Sequence, residues 1–314
     1  MSRRAVRSAL VGAATARIAY GALRARPPSG AKTWSRTNHR GESVTLLEGP
    51  ALAIGGIAAA AIAPASLRNR LAAVLACGGA AAFGGYDDLA GDRSATGFRG
   101  HLGALARGEV TSGTVKLVGI GATAVAAALV ADGPAGSRPA SPADRLLRAG
   151  LVAGGANLIN LFDLRPGRAI KAAMLAGGLL AVTPGGAAAA GPALASAGAL
   201  LPEDLGEQAM LGDAGANALG ALLGVAAGTT LSRRGQVIAL AGIVTLTGAS
   251  EFVSFTQVIE HTGPLRWLDL LGRRPAPAGQ PEPAGQPQSA ADGQVGDPRS
   301  QSRPPGAGRL ARTR

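Results

Sequence analysis

Long apolar runs, broken by short polar or Gly/Pro clusters, dominate the chain. Nine such runs lie near residues 5–23, 49–65, 70–86, 114–131, 146–162, 168–184, 186–202, 215–231 and 235–252. Each approaches the roughly 17–25 residues that a helix needs to cross a bilayer. Thr183-Pro184-Gly185-Gly186 is a turn signal that divides 168–202 into two helices. The pattern predicts an all-α fold, a polytopic transmembrane helix bundle of about nine spans. From about Pro275 to Arg314 the chain is Pro, Gly, Gln, Ala and Arg with almost no large apolar residue. Such a stretch cannot bury a core and is expected to be disordered. The domain reading is therefore a membrane domain over 1–274 and a tail over 275–314.

Composition agrees with this reading. Of 314 residues, 47% are hydrophobic and 16% charged, where a soluble domain carries about a quarter charged. The 48 glycines suit helices whose backbones approach closely in lipid, and Gly/Ala-rich faces permit a homodimer. The net charge of +12 would suit a nucleic-acid binder, but the basic residues sit mostly in loops and in the tail. With aromatics at 3%, there is no basic groove interleaved with stacking side chains, so nucleic acid is not an expected partner. Cys77 is the sole cysteine, which excludes an internal disulfide and a cysteine-based metal site.

Loop charge sets the expected orientation. With loops 24–48, 87–113, 163–168 and 203–214 and the tail on the cytoplasmic side, that face holds about 20 Lys/Arg against about 10 on the other. This is the positive-inside arrangement of a multi-pass protein of the plasma membrane. Arg3, Arg4 and Arg7 pull the first helix the other way. Arg3-Arg4 and then Ala13-Ala14-Thr15-Ala16 have the outline of a signal peptide, but Arg17 and the later spans favour an uncleaved first helix.

The distinctive polar residues then fall on the cytoplasmic face. Asp87 and Asp88 stand directly after an apolar run. Paired acids at a membrane boundary suggest metal or proton chemistry, the plain alternative being a solvated helix end. Asn157, Asn160 and Asp163 are spaced i, i+3, i+6, which makes one polar stripe at the end of a helix. That stripe could equally be a hydrogen-bonded helix seam. Asp213 stands in Gly212-Asp213-Ala214-Gly215, a turn before a helix. Several carboxylates on one face could bind Mg²⁺, with Mn²⁺ as a substitute, bridging to substrate phosphates. Arg36, His39, His101 and Lys116 supply positive partners for a diphosphate. This set suits phosphoryl transfer by positioning and charge neutralisation.

These segments resemble the polyprenyl-phosphate N-acetylhexosamine-1-phosphate transferases, the superfamily (glycosyltransferase family 4) that includes phospho-N-acetylmuramoyl-pentapeptide transferase. The resemblance spans roughly 30–273. Asp87-Asp88 looks like the family's Asp-Asp motif after the third helix. Asn157-Leu158-Ile159-Asn160-Leu161-Phe162-Asp163 looks like its Asn-x-x-Asn-Leu-x-Asp motif, and Leu211-Gly212-Asp213-Ala214-Gly215-Ala216 like its Met-Gly-Asp-x-Gly-Ser motif. Arg36 to Gly41, then Gly49-Pro50, sits where the family has a basic loop and a Gly-rich turn.

The resemblance implies transfer of a sugar 1-phosphate, of N-acetylhexosamine type, from a UDP-sugar to polyprenyl phosphate. UMP is released, and the product enters cell-envelope glycan synthesis. It implies that Asp213 and Asp88 hold the metal. Asp87 and Asp88 would serve the lipid phosphate, Asn157, Asn160 and Asp163 would line the nucleotide–diphosphate pocket, and Lys116 would neutralise phosphate charge. The chain departs from the family where the third motif often continues as Asp-Gly-x-Asp-Gly: Asp163-Leu164-Arg165-Pro166-Gly167-Arg168 stands here, with the glycine lost and Pro166 at the second Asp position. His261 is alone in the last cytoplasmic loop, where many members have a His-rich motif. These departures keep two alternatives open. One is a scaffold or regulator that binds lipid carrier or nucleotide sugar without turnover. The other, an unrelated transporter, is disfavoured because its acids would sit near the midplane.

Overall fold

The computed structural model describes residues 2–91, 103, 107–134 and 139–275. The tail expected over 275–314 lies outside the described residues apart from Pro275. The fold is all-α, and each of the nine apolar runs folds as a helix: α1 (Arg3–Ala25), α2 (Glu48–Ile62), α3 (Leu67–Ala90), α4 (Ser112–Val130), α5 (Pro142–Phe162), α6 (Arg168–Ala181), α7 (Gly186–Leu205), α8 (Gly212–Thr230) and α9 (Arg233–Ser250). Two short helices follow, α10 (Phe255–His261) and α11 (Gly263–Leu270). From its sequence that stretch is expected to be a cytoplasmic loop; in the structure it is helical.

Helix starts follow local chemistry. Ser66 accepts from the Asn69 N–H, Thr111 from Thr114, and Ser232 from Gly235. Ser141, Pro142 and Asp144 form a full capping box at the start of α5. These side chains satisfy amides that a helix N-terminus otherwise leaves without partners.

α8 is the axis of the molecule. Every residue from Ala214 to Gly228 is buried, and α2, α3, α5, α6 and α7 all pack against it. Small residues make this closeness achievable. A Cβ on Gly220 would overlap the carbonyl of Gly155 on α5. At the opposite side, a Cβ on Gly84 of α3 would overlap the carbonyl of Asp213.

Among the described residues, α4 is the one helix that alone is long and apolar enough to cross a membrane; α9 with α10, bent by 95°, meets the same measure as a pair. The other runs fall short for identifiable reasons. At 1.5 Å per residue, α2 and α6 are only about 21–23 Å long, against about 30 Å of hydrocarbon. α1 carries Arg3, Arg4, Arg7, Arg17 and Arg24, and α8 is largely Gly and Ala.

A small hairpin interrupts the helices, which the all-α reading did not anticipate. β1 (Ser35–Thr37) pairs antiparallel with β2 (Ser43–Thr45), Arg36 opposite Val44. Strands of three residues are too short to show alternation. The turn is shaped by Asn38, whose Oδ1 accepts the N–H groups of Arg40 and Glu42, both at 2.9 Å. The hairpin is tied to the segment before α8, because the Met210 N–H donates to the Thr45 carbonyl at 3.0 Å. The basic first loop is thereby held beside the start of the axial helix.

Candidate functional site

Asp87 and Asp88 occupy the last turn of α3. A helix C-terminus carries partial negative charge, so two carboxylates there are unfavourable unless something offsets them. Two neighbours do so. The first is the N-terminus of α8, whose cap position, Leu211, offers no side-chain acceptor. Asp88 supplies the missing acceptors from another helix: Oδ1 takes the Asp213 N–H at 3.0 Å and Oδ2 the Ala214 N–H at 2.9 Å. The second is Lys116, one turn into α4. Its Nζ lies 2.5 Å from Asp87 Oδ2 and 2.8 Å from Asp213 Oδ2.

Three helices thus bring Asp87, Asp88, Lys116 and Asp213 together. The exposures of the Lys116, Asp87 and Asp213 side chains are 15%, 14% and 24%, so the cluster is sheltered yet open to solvent. Gly212 has φ +60°, a conformation that favours glycine. A Cβ at that position would press on both Asp88 oxygens at 3.0 Å. Asn217 Nδ2 donates to the Asp213 carbonyl at 2.7 Å and fixes the first turn of α8 from within.

The carboxylates divide in their acidity. Burial raises Asp88 to about 7, with the neighbouring Asp213 adding to the effect and the two backbone amides opposing it. Asp213 is also raised, first by burial, against the Lys116 charge. Burial acts to raise Asp87 as well, but hydrogen bonds to Asp213, Lys116 and Ser112 outweigh it and leave Asp87 below its ordinary value.

Asp163 is the C-cap residue of α5. Burial pushes it well above the usual range, and Asp204, Asp88 and Asp213 add to the shift, while the Gly212 N–H opposes it. Asp163 therefore lies in the electrostatic neighbourhood of the cluster. Asn157 and Asn160 are half-buried on α5, and their side chains make no hydrogen bond to a described residue. Arg36 donates to the Asp88 backbone carbonyl from β1.

His39 belongs elsewhere. Its Nδ1 lies 4.0 Å from Glu207 Oε2, and Arg273 approaches its Nε2 at 3.4 Å. Burial, then Arg165, Arg273 and Arg40, lowers it to about 4, and its contacts lie with Glu207 and Arg273 rather than with the Asp87–Asp213 cluster. His101 lies outside the described residues.

The fit to a divalent cation can be judged from the donors. Asp87 and Asp213 already converge on one cationic nitrogen, which is the donor set that a hard cation prefers. Both Asp88 oxygens are committed to amides of α8. Were a cation held here, Asp87 would be placed to join Asp213 more freely than Asp88, the residue that the resemblance implies. Among the described residues no group of three or more His, Cys, Asp or Glu side chains converges for a metal. Two carboxylates alone would leave substrate oxygens and water to complete the shell of any ion held there.

Several polar residues here were not singled out in the sequence. Glu48, the first residue of α2, is fully buried, and both its carboxylate oxygens lack a hydrogen-bond partner among the described residues. Glu207, with φ +55°, is buried and gathers Asn38 at 2.9 Å and Arg40 at 2.9 Å. It holds the basic hairpin against the α7–α8 junction. The divergent segment after Asp163 is also in use. Arg168 makes a two-pronged pair with Asp269 at 2.7 and 3.1 Å, and Arg165 meets Glu260 at 3.6 Å. These arginines lash α6 to α10 and α11. Glu48 at the head of an apolar run was the one legible signal among them.

No protein-family model matches the chain, and no curated protein matches it in sequence.

Proposed function

We propose that this chain is a membrane-embedded transferase of the polyprenyl-phosphate sugar-1-phosphate class. It would move a sugar 1-phosphate, of N-acetylhexosamine type, from a UDP-sugar to polyprenyl phosphate and release UMP. The observation that carries the reading is the meeting of Asp87, Lys116 and Asp213 from three helices at one end of the bundle, capped by Asp88. Nine helices, with α9 and α10 as a bent ninth element, would form the membrane body. The low hydropathy of α8 is compatible with this, because that helix faces protein on every side and needs no lipid-compatible surface.

A bound Mg²⁺ would neutralise diphosphate charge; Asp213 and Asp87 are the side chains placed to hold it. Lys116 supplies a further positive charge to phosphate oxygens. Asp88 keeps the α8 N-terminus, with Asp213 on it, at a fixed distance from α3. The reaction joins an oxygen of the lipid phosphate to the β-phosphorus of the donor, and the bond from that phosphorus to UMP breaks.

The test is UMP release by the purified protein in detergent with polyprenyl phosphate, Mg²⁺ and a panel of UDP-sugars. Release should require lipid and metal, and Asp87→Asn and Asp213→Asn should each lower it by about a hundredfold or more. The second reading is a scaffold that binds without turnover, and the ammonium lodged between Asp87 and Asp213 favours it. Folded protein that binds UDP-sugar but releases no UMP from any donor would establish the scaffold instead.

A further inference from the structure

We infer that Lys116 is a built-in counter-ion that closes the divalent-cation position until a diphosphate draws its ammonium away, so that metal and nucleotide enter together. The inference takes the identity of the anion from the proposed function; the competition between lysine and metal does not depend on it.

The geometry is that of one cation between two carboxylates. Lys116 Nζ stands 2.5 Å from one oxygen and 2.8 Å from the other. A Mg²⁺ or Mn²⁺ ion held by Asp87 and Asp213 would compete for the place that the ammonium fills. Two cations cannot share that space, so metal entry requires the ammonium to leave. Lysine suits such a role, since its charge rides on a flexible four-carbon stem and makes no rigid fork.

The helices cannot supply the movement. One turn beyond Lys116, a Cβ on Gly119 would overlap the ring of Phe83 on α3. Further along, a Cβ on Gly79 of α3 would overlap Thr123 of α4. The two helices are thus locked in register along the stretch that carries Asp87 and Lys116. Only the side chain of Lys116 is left to swing. At 15% exposure it borders solvent, and a diphosphate arriving there offers oxygens to the displaced ammonium while bringing ligands for the metal.

The test reads Mn²⁺ binding by electron paramagnetic resonance of the purified full chain in detergent, with and without UDP and with no acceptor lipid. Wild type should bind Mn²⁺ weakly alone and about tenfold more tightly with UDP. Lys116→Met should bind Mn²⁺ alone about tenfold more tightly than wild type and lose most of the UDP effect. Lys116→Gln is the second variant should the first not fold. Asp213→Asn should abolish binding in either background. Arg107→Gln removes an exposed cation ahead of α4 without opening the gap between Asp87 and Asp213, and should change Mn²⁺ affinity by no more than about twofold.

Unchanged or weaker Mn²⁺ binding by both Lys116 variants overturns the inference. So does equal tightening by Arg107→Gln, which would reduce the effect to general charge. A chain that shows the Lys116 effect but releases no UMP from any donor keeps the counter-ion and loses the transferase. The converse result keeps the transferase and loses the counter-ion.

Discussion

Asp88 shows how much one side chain can be asked to reconcile. It sits at the unfavourable end of α3, caps α8, and neighbours two further acids. Its folded-state value near 7 stands above the roughly 3.9 of an unfolded aspartate. Between those values the folded chain retains a proton that the unfolded chain has released. The stability linked to that proton is therefore full below about pH 4 and is lost as pH rises through about 7. Thermal unfolding in metal-free buffer should show a falling Tm across that window, and Asp88→Asn should flatten the fall. Asp213 and Asp163 shift in the same direction, so part of the slope should survive. A variant with the wild-type slope would remove Asp88 from this account. The acids of the site were legible in the sequence because a doubled aspartate, a polar stripe and a Gly-Asp turn each stand out against apolar runs. Their division of labour was not legible. That Asp88 caps while Asp87 pairs depends on which oxygen meets the α8 amides, and His39 is drawn to Glu207 by contacts more than a hundred residues apart in sequence.

Among elements, α8 decides the packing, and its neighbours meet it through glycine. Gly84 of α3 lies against the Asp213 carbonyl, whereas Gly242 of α9 has nothing within 4 Å of a prospective Cβ. Gly84→Ala should force α3 away from the start of α8, lowering stability by about 2 kcal/mol and disturbing the Asp88 cap. Gly242→Ala should be neutral or stabilising by up to about 1 kcal/mol, since alanine is the better helix former. Denaturation of the two variants side by side checks the contrast, and equal effects would contradict it. The nine helices could be read from the sequence since Gly/Pro turns and Ser/Thr caps punctuate the apolar runs. The hairpin and the helices α10 and α11 could not. Three-residue strands carry no period, and α11 is held by Asp269 pairing with Arg168, 101 residues away in sequence, a partner that only the tertiary fold supplies.

For the whole molecule, the proposed membrane orientation gives each loop a side. In a Cys77→Ala background, single cysteines at Lys32 and Arg266 should react with a membrane-impermeant maleimide only from the cytoplasmic face. Cysteines at Ala65 and Arg234 should react only from the opposite face. All four positions are exposed, so silence from both sides would report on folding rather than on orientation. Labelling of all four from one side would remove the bundle from the bilayer. The burial of α8 also has a meaning for biosynthesis. The axial helix emerges from the ribosome after the seven helices described before it, yet α2, α3, α5 and α7 close around it. Until it arrives, the glycine faces that it will fill stand open, and the Asp88 carboxylate has no amides to cap. The nascent chain must therefore wait for its own centre, and a chain truncated before Gly212 should be degraded faster than the full chain.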